Sequence, residues 1–543
     1  FNSLIDVLAQ RYSYTELRNL DWEAIRAEYL PQIEAAEAAD SIEDYYVALY
    51  DLAMSIRDSH VAVSTRSFGI GTAPVIRVLQ QLNGSLGAGV VELSDGRFIV
   101  NYVDPSGPAA EAGWVFGTEI VSVDGAPLAE RIATMPLFDP ESTPEGIRLA
   151  QIGYALSFPA GAETTIEYRQ PGETELKSIA MTAAEGAATS DASTAAAPRP
   201  EISFETLPSG YGYIQWDAFN DPLYKLAVWE KFLSTVKTAP GIILDMRNNV
   251  GGSQSLFMTL ASYLFTEDAP AQMHWIDEAF YDETVGDFVT YFQADADLYS
   301  PKPELTYTGI VVVLVNENTV SSGEYFPQFL QNQGRAIIVG QHGTDGAGGP
   351  VERASLPGEI TFQFTKGRTF FAGTDELNLE AKGVTLDVRV PVTEESVQAV
   401  LAGEDPVLDA AIVALNEEAV RRSNEQLIAT SWQWTSTYSL SGQAPVDNPA
   451  AYTLTFSEDG TLAILADCNQ AQAEYTRDGD TITITVGPAT LALCPGDSQS
   501  ELFVQLLGTA ATVSLSDGQL LLVLDAEQNL DTGVIGLFFA PAE

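Results

Sequence analysis

Apolar positions along the chain change period several times, and the changes outline its parts. From Leu20 to Arg57 they recur three and four residues apart (Trp22, Ile25, Tyr29, then Tyr46, Leu49, Leu52, Ile56), which predicts amphipathic helices, with Asp21 and Asp40–Ser41 as N-caps. Residues 1–66 therefore read as a helical region. From 67 to 183, glycines punctuate short β-branched runs (GAGVVEL, RFIVNYV, GTEIVSVDG, TTIEYRQPG), the pattern of a compact, mostly β module. The Pro-Ala-Ala-Glu-Ala-Gly stretch at 108–113 reads as a short helix stopped by its glycine. Residues 184–200 are an Ala/Ser/Thr/Pro tract with too little to bury, hence a linker.

Residues 201–428 alternate strand-like runs (YGYIQW, GIILDMR, GIVVVLVN, RAIIVGQ) with helical segments at 222–238, 253–265, 322–334 and 405–428. Near-continuous apolar strands between helices predict a largely parallel sheet covered on both faces. Residues 429–543 return to strands and turns (AYTLTFSEDG, TLAIL, DTITITV, QLLLVLD), a separate all-β domain with no long helix expected. The whole reads as a multidomain α+β chain of 543 residues.

Charge narrows the partners. Against 26 Lys and Arg stand 75 Asp and Glu, a net charge of −49, which opposes nucleic-acid binding and docking on anionic membranes. No apolar run approaches the ~18–20 residues of a membrane helix. The chain begins at Phe1 rather than Met, as removal of a leader would leave it, and as any other cut would. Its two cysteines, Cys468 and Cys494, either form one disulfide, which implies an oxidising compartment, or stay as buried thiols. No thiolate metal site can be built from them, and neither metal nor cofactor is expected.

With only His60, His274 and His342 in the chain, any imidazole chemistry rests on one of three residues. Asp245-Met-Arg-Asn-Asn-Val-Gly-Gly252 follows an apolar strand, where a parallel sheet places ligands; Gly251 and Gly252 would bring backbone N–H groups close to a reacting atom, or simply make a tight turn. Asn316-Glu-Asn-Thr-Val-Ser-Ser-Gly-Glu324 ends the next buried strand and opens a helix, so Ser321 is either an N-cap or a nucleophile beside free N–H groups. Asp58-Ser-His60 closes the helical region, His342 lies in a glycine-rich loop, and His274, among aromatics, reads as packing.

In this order the motifs resemble the tricorn-like and C-terminal-processing serine peptidases over about residues 1–400. Asp21-Trp22 and the Asp58-Ser-His60 motif match the opening. Gly87-Ala88-Gly89-Val90, the 108–113 helix and Gly117–Gly125 are similar to a PDZ domain with its carboxylate-binding loop. The two motifs above and Glu380-Ala-Lys-Gly-Val-Thr-Leu-Asp387 follow. The resemblance implies an α/β core of ClpP/crotonase type and hydrolysis of extended or unfolded polypeptides through an acyl-enzyme on Ser321, with no cofactor. The processing branch places a lysine base where this chain has Gly346. The tricorn-like branch implies His60 as base, Ser59 and Glu380 as its relay, and an oxyanion hole from Ser322 with Gly251 or Gly252. The tail, through Trp432 or Trp434, Thr453–Phe456, Asp459-Gly460, Cys468-Asn469, Tyr475 and Cys494-Pro495, resembles a META domain of bacterial envelope proteins. A secreted or envelope location is the expectation. The absent lysine motivates an alternative, an inactive peptide- or ligand-binding protein on the same fold.

Overall fold

The computed structural model describes residues 1–65, 82–138, 140–186, 202–292, 295–516 and 518–542. Most of the linker at 184–200 and the start of the β module, 67–81, lie outside the described residues. The chain divides into two compact units, Phe1–Leu415 and Asn416–Glu543.

The first unit opens with helices α1 (Asn2–Arg11), α2 (Trp22–Ala38) and α3 (Ile42–Ile56). Asp21 accepts from the N–H groups of Glu23 and Ala24, and Ser41 from that of Asp44, so both helices start where a side chain satisfies orphan donors. Their inner faces (Ile33, Tyr46, Leu49, Leu52) share a core with Phe362 and Phe364 from far along the chain. The connection is a strand the hydrophobic pattern did not reveal. Strand β1 (Ala62–Thr65) pairs antiparallel with a later strand, Ala62 facing Gln363.

The β module is built on β2 (Ala88–Glu92), β3 (Phe98–Val103), β4 (Glu119–Val123), β5 (Glu163–Arg169) and β6 (Lys177–Thr182), in that order across the sheet. Strand β2 is an edge. Helix α4 (Pro144–Ile152) is capped by Thr143.

Six strands form the central sheet, in the order β7 (Ile202–Thr206), β8 (Gly212–Trp216), β9 (Gly241–Asp245), β10 (Ile310–Leu314), β11 (Ile337–Gly340) and β14 (Val388–Arg389). All pairings but β7–β8 are parallel. Every residue of β9 and β10 is buried, because helices α5 (Pro222–Thr235), α6 (Gln254–Ser262) and α7 (Ser322–Asn332) cover the sheet. Between β11 and β14 the chain makes the hairpin β12 (Val351–Leu356) and β13 (Ile360–Thr365); β13 is the partner of β1. This pairing carries the residues before Ala62 to the core.

The second unit is an eight-stranded antiparallel barrel. Strand Ser431–Ser439 pairs with both Tyr452–Phe456 and Val534–Pro541, which closes the sheet. Trp432 and Trp434 are fully buried inside. One short helix, Ser500–Leu507, packs Phe503, Leu506 and Leu507 into that core; at eight residues it is too short for its period to stand out in the sequence. Cys468 and Cys494 form a disulfide with Cα atoms 5.5 Å apart.

Candidate active site

Two turns at the carboxyl ends of β9 and β10 are bound to each other. Thr319 donates its hydroxyl to the Met246 carbonyl at 3.0 Å, and the Val320 N–H donates to the Asn249 carbonyl at 2.9 Å. Ser321 then stands at φ +59° and ψ −124°, a conformation that costs a non-glycine residue strain and persists only when its surroundings fix it. Glu324, one turn into α7, accepts the Ser321 N–H at 2.9 Å. Its buried carboxylate also receives Thr344 Oγ1 at 2.6 Å and the N–H groups of Gly346 and Ala347 at 2.7 and 3.0 Å.

Gly251 and Gly252 differ in what they offer. The Gly251 N–H is spent on Asn249 Oδ1 at 2.9 Å, and its φ of +81° lets the backbone lie against Ser321. The N–H groups of Gly252 and Ser322 donate to no acceptor among the described residues. Gly252 sits at φ +134° with its Cα pressed on Phe219: a Cβ there would lie 2.4 Å from the Phe219 carbonyl oxygen.

His60 reaches this place through Asp58. That buried carboxylate accepts the His60 N–H at 2.8 Å, Tyr12 Oη at 2.9 Å and Thr365 Oγ1 at 2.8 Å, so it locks the turn between α3 and β1. Gln363 holds the His60 carbonyl at 3.0 Å. Ser59, His60, Gly252, Ser321, Ser322 and Tyr325 line one cavity of about 490 Å³. Burial lowers the imidazole pKa below its ordinary value, against the pull of Asp58 and of the Gly348 carbonyl. Nδ1 of the ring is buried without a hydrogen-bond partner.

The Ser59–Glu380 relay drawn from the sequence does not form. Ser59 Oγ bonds to Asp345 and to Ser142 Oγ, the latter at 2.8 Å. Glu380 is buried apart from it, paired with Arg18 and accepting the Gly348 N–H at 3.1 Å. The physical reason is charge: Arg18 is the cation that compensates Glu380 in a low-dielectric place, and it holds the carboxylate on its own side. Burial raises the pKa of Glu324, Asp345 and Glu380 alike. Asp345 went unnoticed in a sequence with 75 acidic residues; its signal is only the glycine-rich loop around it.

Gly346, at the place of the lysine, has φ +80°, and a Cβ on it would stand 2.5 Å from Thr143 Cγ2. A lysine side chain there would need Thr143 and the backbone at 382–383 to shift. His342 Nδ1 meets Glu145 at 3.1 Å, outside the cavity. His274, expected as packing, is instead hydrogen-bonded between Asp277 at 2.7 Å and Asp295 at 3.1 Å; the Asp277 hydrogen bond leads in raising its pKa. Of the loop Gly87-Ala88-Gly89-Val90, the Gly87 N–H already donates to Ser85 Oγ at 3.0 Å, while Ala88, Gly89 and Val90 lie on the edge strand β2.

A strained serine at a helix start, a buried histidine and free N–H groups thus line one cavity. Residues 210–390 match the family model of Peptidase family S41. Residues 425–533 match the META domain and residues 1–44 the Tricorn protease C1 domain. The C-terminal processing peptidase, chloroplastic, of Tetradesmus obliquus is 24% identical over 328 residues, 59% of this chain and 62% of its own length. An uncharacterized protein of Chlamydia muridarum (strain MoPn / Nigg) is 30% identical over 99 residues, 18% of this chain and 16% of its own. The chain thus spans less than two thirds of either relative. Among solved structures, mature CPAF complexed with lactacystin has a TM-score of 0.49 at 16% identity, covering 76% of this chain and 98% of that one. The photosystem II D1 C-terminal processing protease has a TM-score of 0.35 at 20% identity, covering 75% and 97%.

Proposed function

We propose that the chain is a serine endopeptidase that cuts extended or unfolded polypeptides. The observation that carries the reading is the convergence of Ser321, His60 and the uncommitted N–H groups of Gly252 and Ser322 on one cavity. Ser321 Oγ attacks the scissile carbonyl while His60 takes its proton. The two N–H groups receive the oxyanion, and His60 then protonates the departing amine. Water, deprotonated by His60, hydrolyses the ester and returns Ser321. A histidine whose pKa lies below its ordinary value is in the proton-accepting form at neutral pH.

In the same reading the module at 67–183 is PDZ-like and takes a substrate strand on the open edge of β2, with specificity from alternate side chains. The disulfide and the META-matching barrel favour an extracytoplasmic, bacterial location, and no helix among the described residues is long and apolar enough to cross a membrane. The test is labelling with a fluorophosphonate, alongside casein cleavage, on the wild type, Ser321→Ala and His60→Ala. Label on Ser321 that both substitutions remove supports the reading; a folded wild type that neither labels nor cleaves sinks it. That second outcome would favour a non-cleaving binding protein, a reading supported by the unpartnered Nδ1 of His60.

A further inference from the structure

Two buried carboxylates stand behind the site, and one of them touches the serine next to His60. Glu380 has a counter-charge in Arg18 and a second donor in the Gly348 N–H. Asp345 has one side-chain hydrogen bond among the described residues, and it comes from Ser59 Oγ. Ser142 completes the arrangement: its Oγ lies 2.8 Å from Ser59 Oγ and accepts the Ser59 N–H at 2.9 Å.

The backbone of Asp345 is bound on the opposite side. Its N–H donates to the Thr319 carbonyl at 3.1 Å, two residues before the nucleophile. Its neighbours Thr344, Gly346 and Ala347 all donate to Glu324, which in turn holds the Ser321 N–H. One four-residue turn therefore grips both the loop that carries Ser321 and the segment that carries His60.

We propose that Asp345 is the positioning residue of this site, in the place the sequence assigns to Glu380: it fixes Ser59, and through it His60, at a set separation from Ser321. The inference rests on the peptidase reading. Donor counting supports it. The single Ser59 proton goes to Asp345 and one oxygen lone pair takes the Ser142 hydroxyl, which fixes the residue bonded directly to His60. No bond beyond those of the acyl-enzyme cycle is made or broken.

The experiment is steady-state cleavage of a fluorogenic peptide by the full chain carrying Asp345→Ala, Asp345→Asn, Ser59→Ala, Ser59→Ala with each Asp345 change, Glu380→Gln or Ser321→Ala. Asp345→Ala and Ser59→Ala should each lower kcat by about 10²-fold while KM stays within about threefold, the split expected of a group that supports the base rather than binds substrate. The double variant should be no slower than the slower single one, since both act through one contact. Asp345→Asn keeps an acceptor oxygen and should recover about tenfold over Asp345→Ala, and Glu380→Gln should cost less than Asp345→Ala. A kcat for Asp345→Ala within about threefold of wild type, independent multiplication of the two losses, or a larger loss in Glu380→Gln overturns the proposal. Should Asp345→Ala not fold, the cycle of Asp345→Asn with Ser59→Ala decides: a coupling under about twofold overturns it. Ser321→Ala separates the two levels. If it cleaves like wild type, the peptidase reading and this proposal fall together; if it is dead while Asp345 and Ser59 are uncoupled, the proposal alone falls.

Discussion

A methyl group added at Gly251 would push directly on Ser321. Its Cβ would stand 2.8 Å from Ser321 Cβ, 2.8 Å from the Val320 carbonyl oxygen and 3.0 Å from the Ser322 nitrogen. Ordinary carbon contacts are about 3.5–4.0 Å, so roughly 0.7 Å or more of overlap must be relieved. Two of the three obstacles are backbone atoms, so no side-chain rotation relieves the clash; the Ser321 turn has to move. Such overpacking costs about 1–3 kcal/mol. The φ of +81° adds the penalty of a left-handed alanine, about 1–2 kcal/mol. A Gly251→Ala chain should therefore lose about 2–5 kcal/mol of stability, and displacement of Ser321 by most of an ångström should cost about 10²-fold in turnover. Gly373→Ala is the matched control: φ is +71° there, and a Cβ would meet nothing within 4 Å. It should lose only about 1–2 kcal/mol, with activity unchanged. Urea denaturation and the rate of fluorophosphonate labelling measure both quantities. Equal behaviour of the two variants, or wild-type labelling by Gly251→Ala, would refute the argument that close approach at Gly251 sets the position of Ser321.

Other consequences follow from the same geometry. Burial lowers the His60 pKa, so the acid limb of kcat/KM should fall below pH ~6.5, the ordinary value for histidine; a limb above it would contradict a desolvated base. Asp345 and Glu324 hold protons more tightly folded than unfolded, so their contribution to stability is full below the ordinary carboxylate range and is lost as pH rises through their raised folded values. The unfolding midpoint of the first unit should thus be higher at acid than at neutral pH, with a flatter profile in Asp345→Asn; an unchanged slope would remove Asp345 from the account. Glu324→Gln places an amide where Thr344, Gly346, Ala347 and Ser321 all donate, so at least one buried N–H loses its acceptor, a cost of about 1–3 kcal/mol readable by thermal melting. Reducing the Cys468–Cys494 bond, which closes a 26-residue separation, should cost the barrel about 3 kcal/mol, seen as a lower denaturation midpoint with dithiothreitol.

Legibility in the sequence followed the range of the interactions. The central strands could be read because a fully buried parallel strand writes its environment into each of its own residues: Ile310–Leu314 is apolar throughout. Asp21 and Ser41 could be read because an N-cap acts within three residues of itself. Strand β1 could not, since Ala62–Thr65 is a strand only by virtue of Thr361 and its neighbours, some 300 residues on. The site divides the same way. Ser321 announces itself through a buried strand, a glycine and an acidic residue in one short stretch. Which carboxylate faces Ser59 is a question of space, and Glu380 and Asp345 offer the same functional group to it.

What separates those two carboxylates is their compensation. Arg18 lies between α1 and α2, three residues before Asp21-Trp22, and its guanidinium meets Glu380 and also donates to the Ser142 carbonyl at 3.2 Å. A carboxylate with a buried cation of its own gains little by turning toward a serine hydroxyl, whereas one with no cation bonded to it needs the donor. Asp345 is in the second condition, so a neutral hydroxyl, oriented by Ser142, is what satisfies it. The assignment of roles around His60 therefore depends on a pairing made by the turn between α1 and α2, and removing Arg18 should disturb it. In Arg18→Met, Glu380 is left buried without its cation, and the loss in kcat should exceed that of Glu380→Gln, which leaves a neutral acceptor in place. Equal losses in the two variants would mean that Arg18 does nothing beyond serving Glu380, and that the separation of the two carboxylates has another cause.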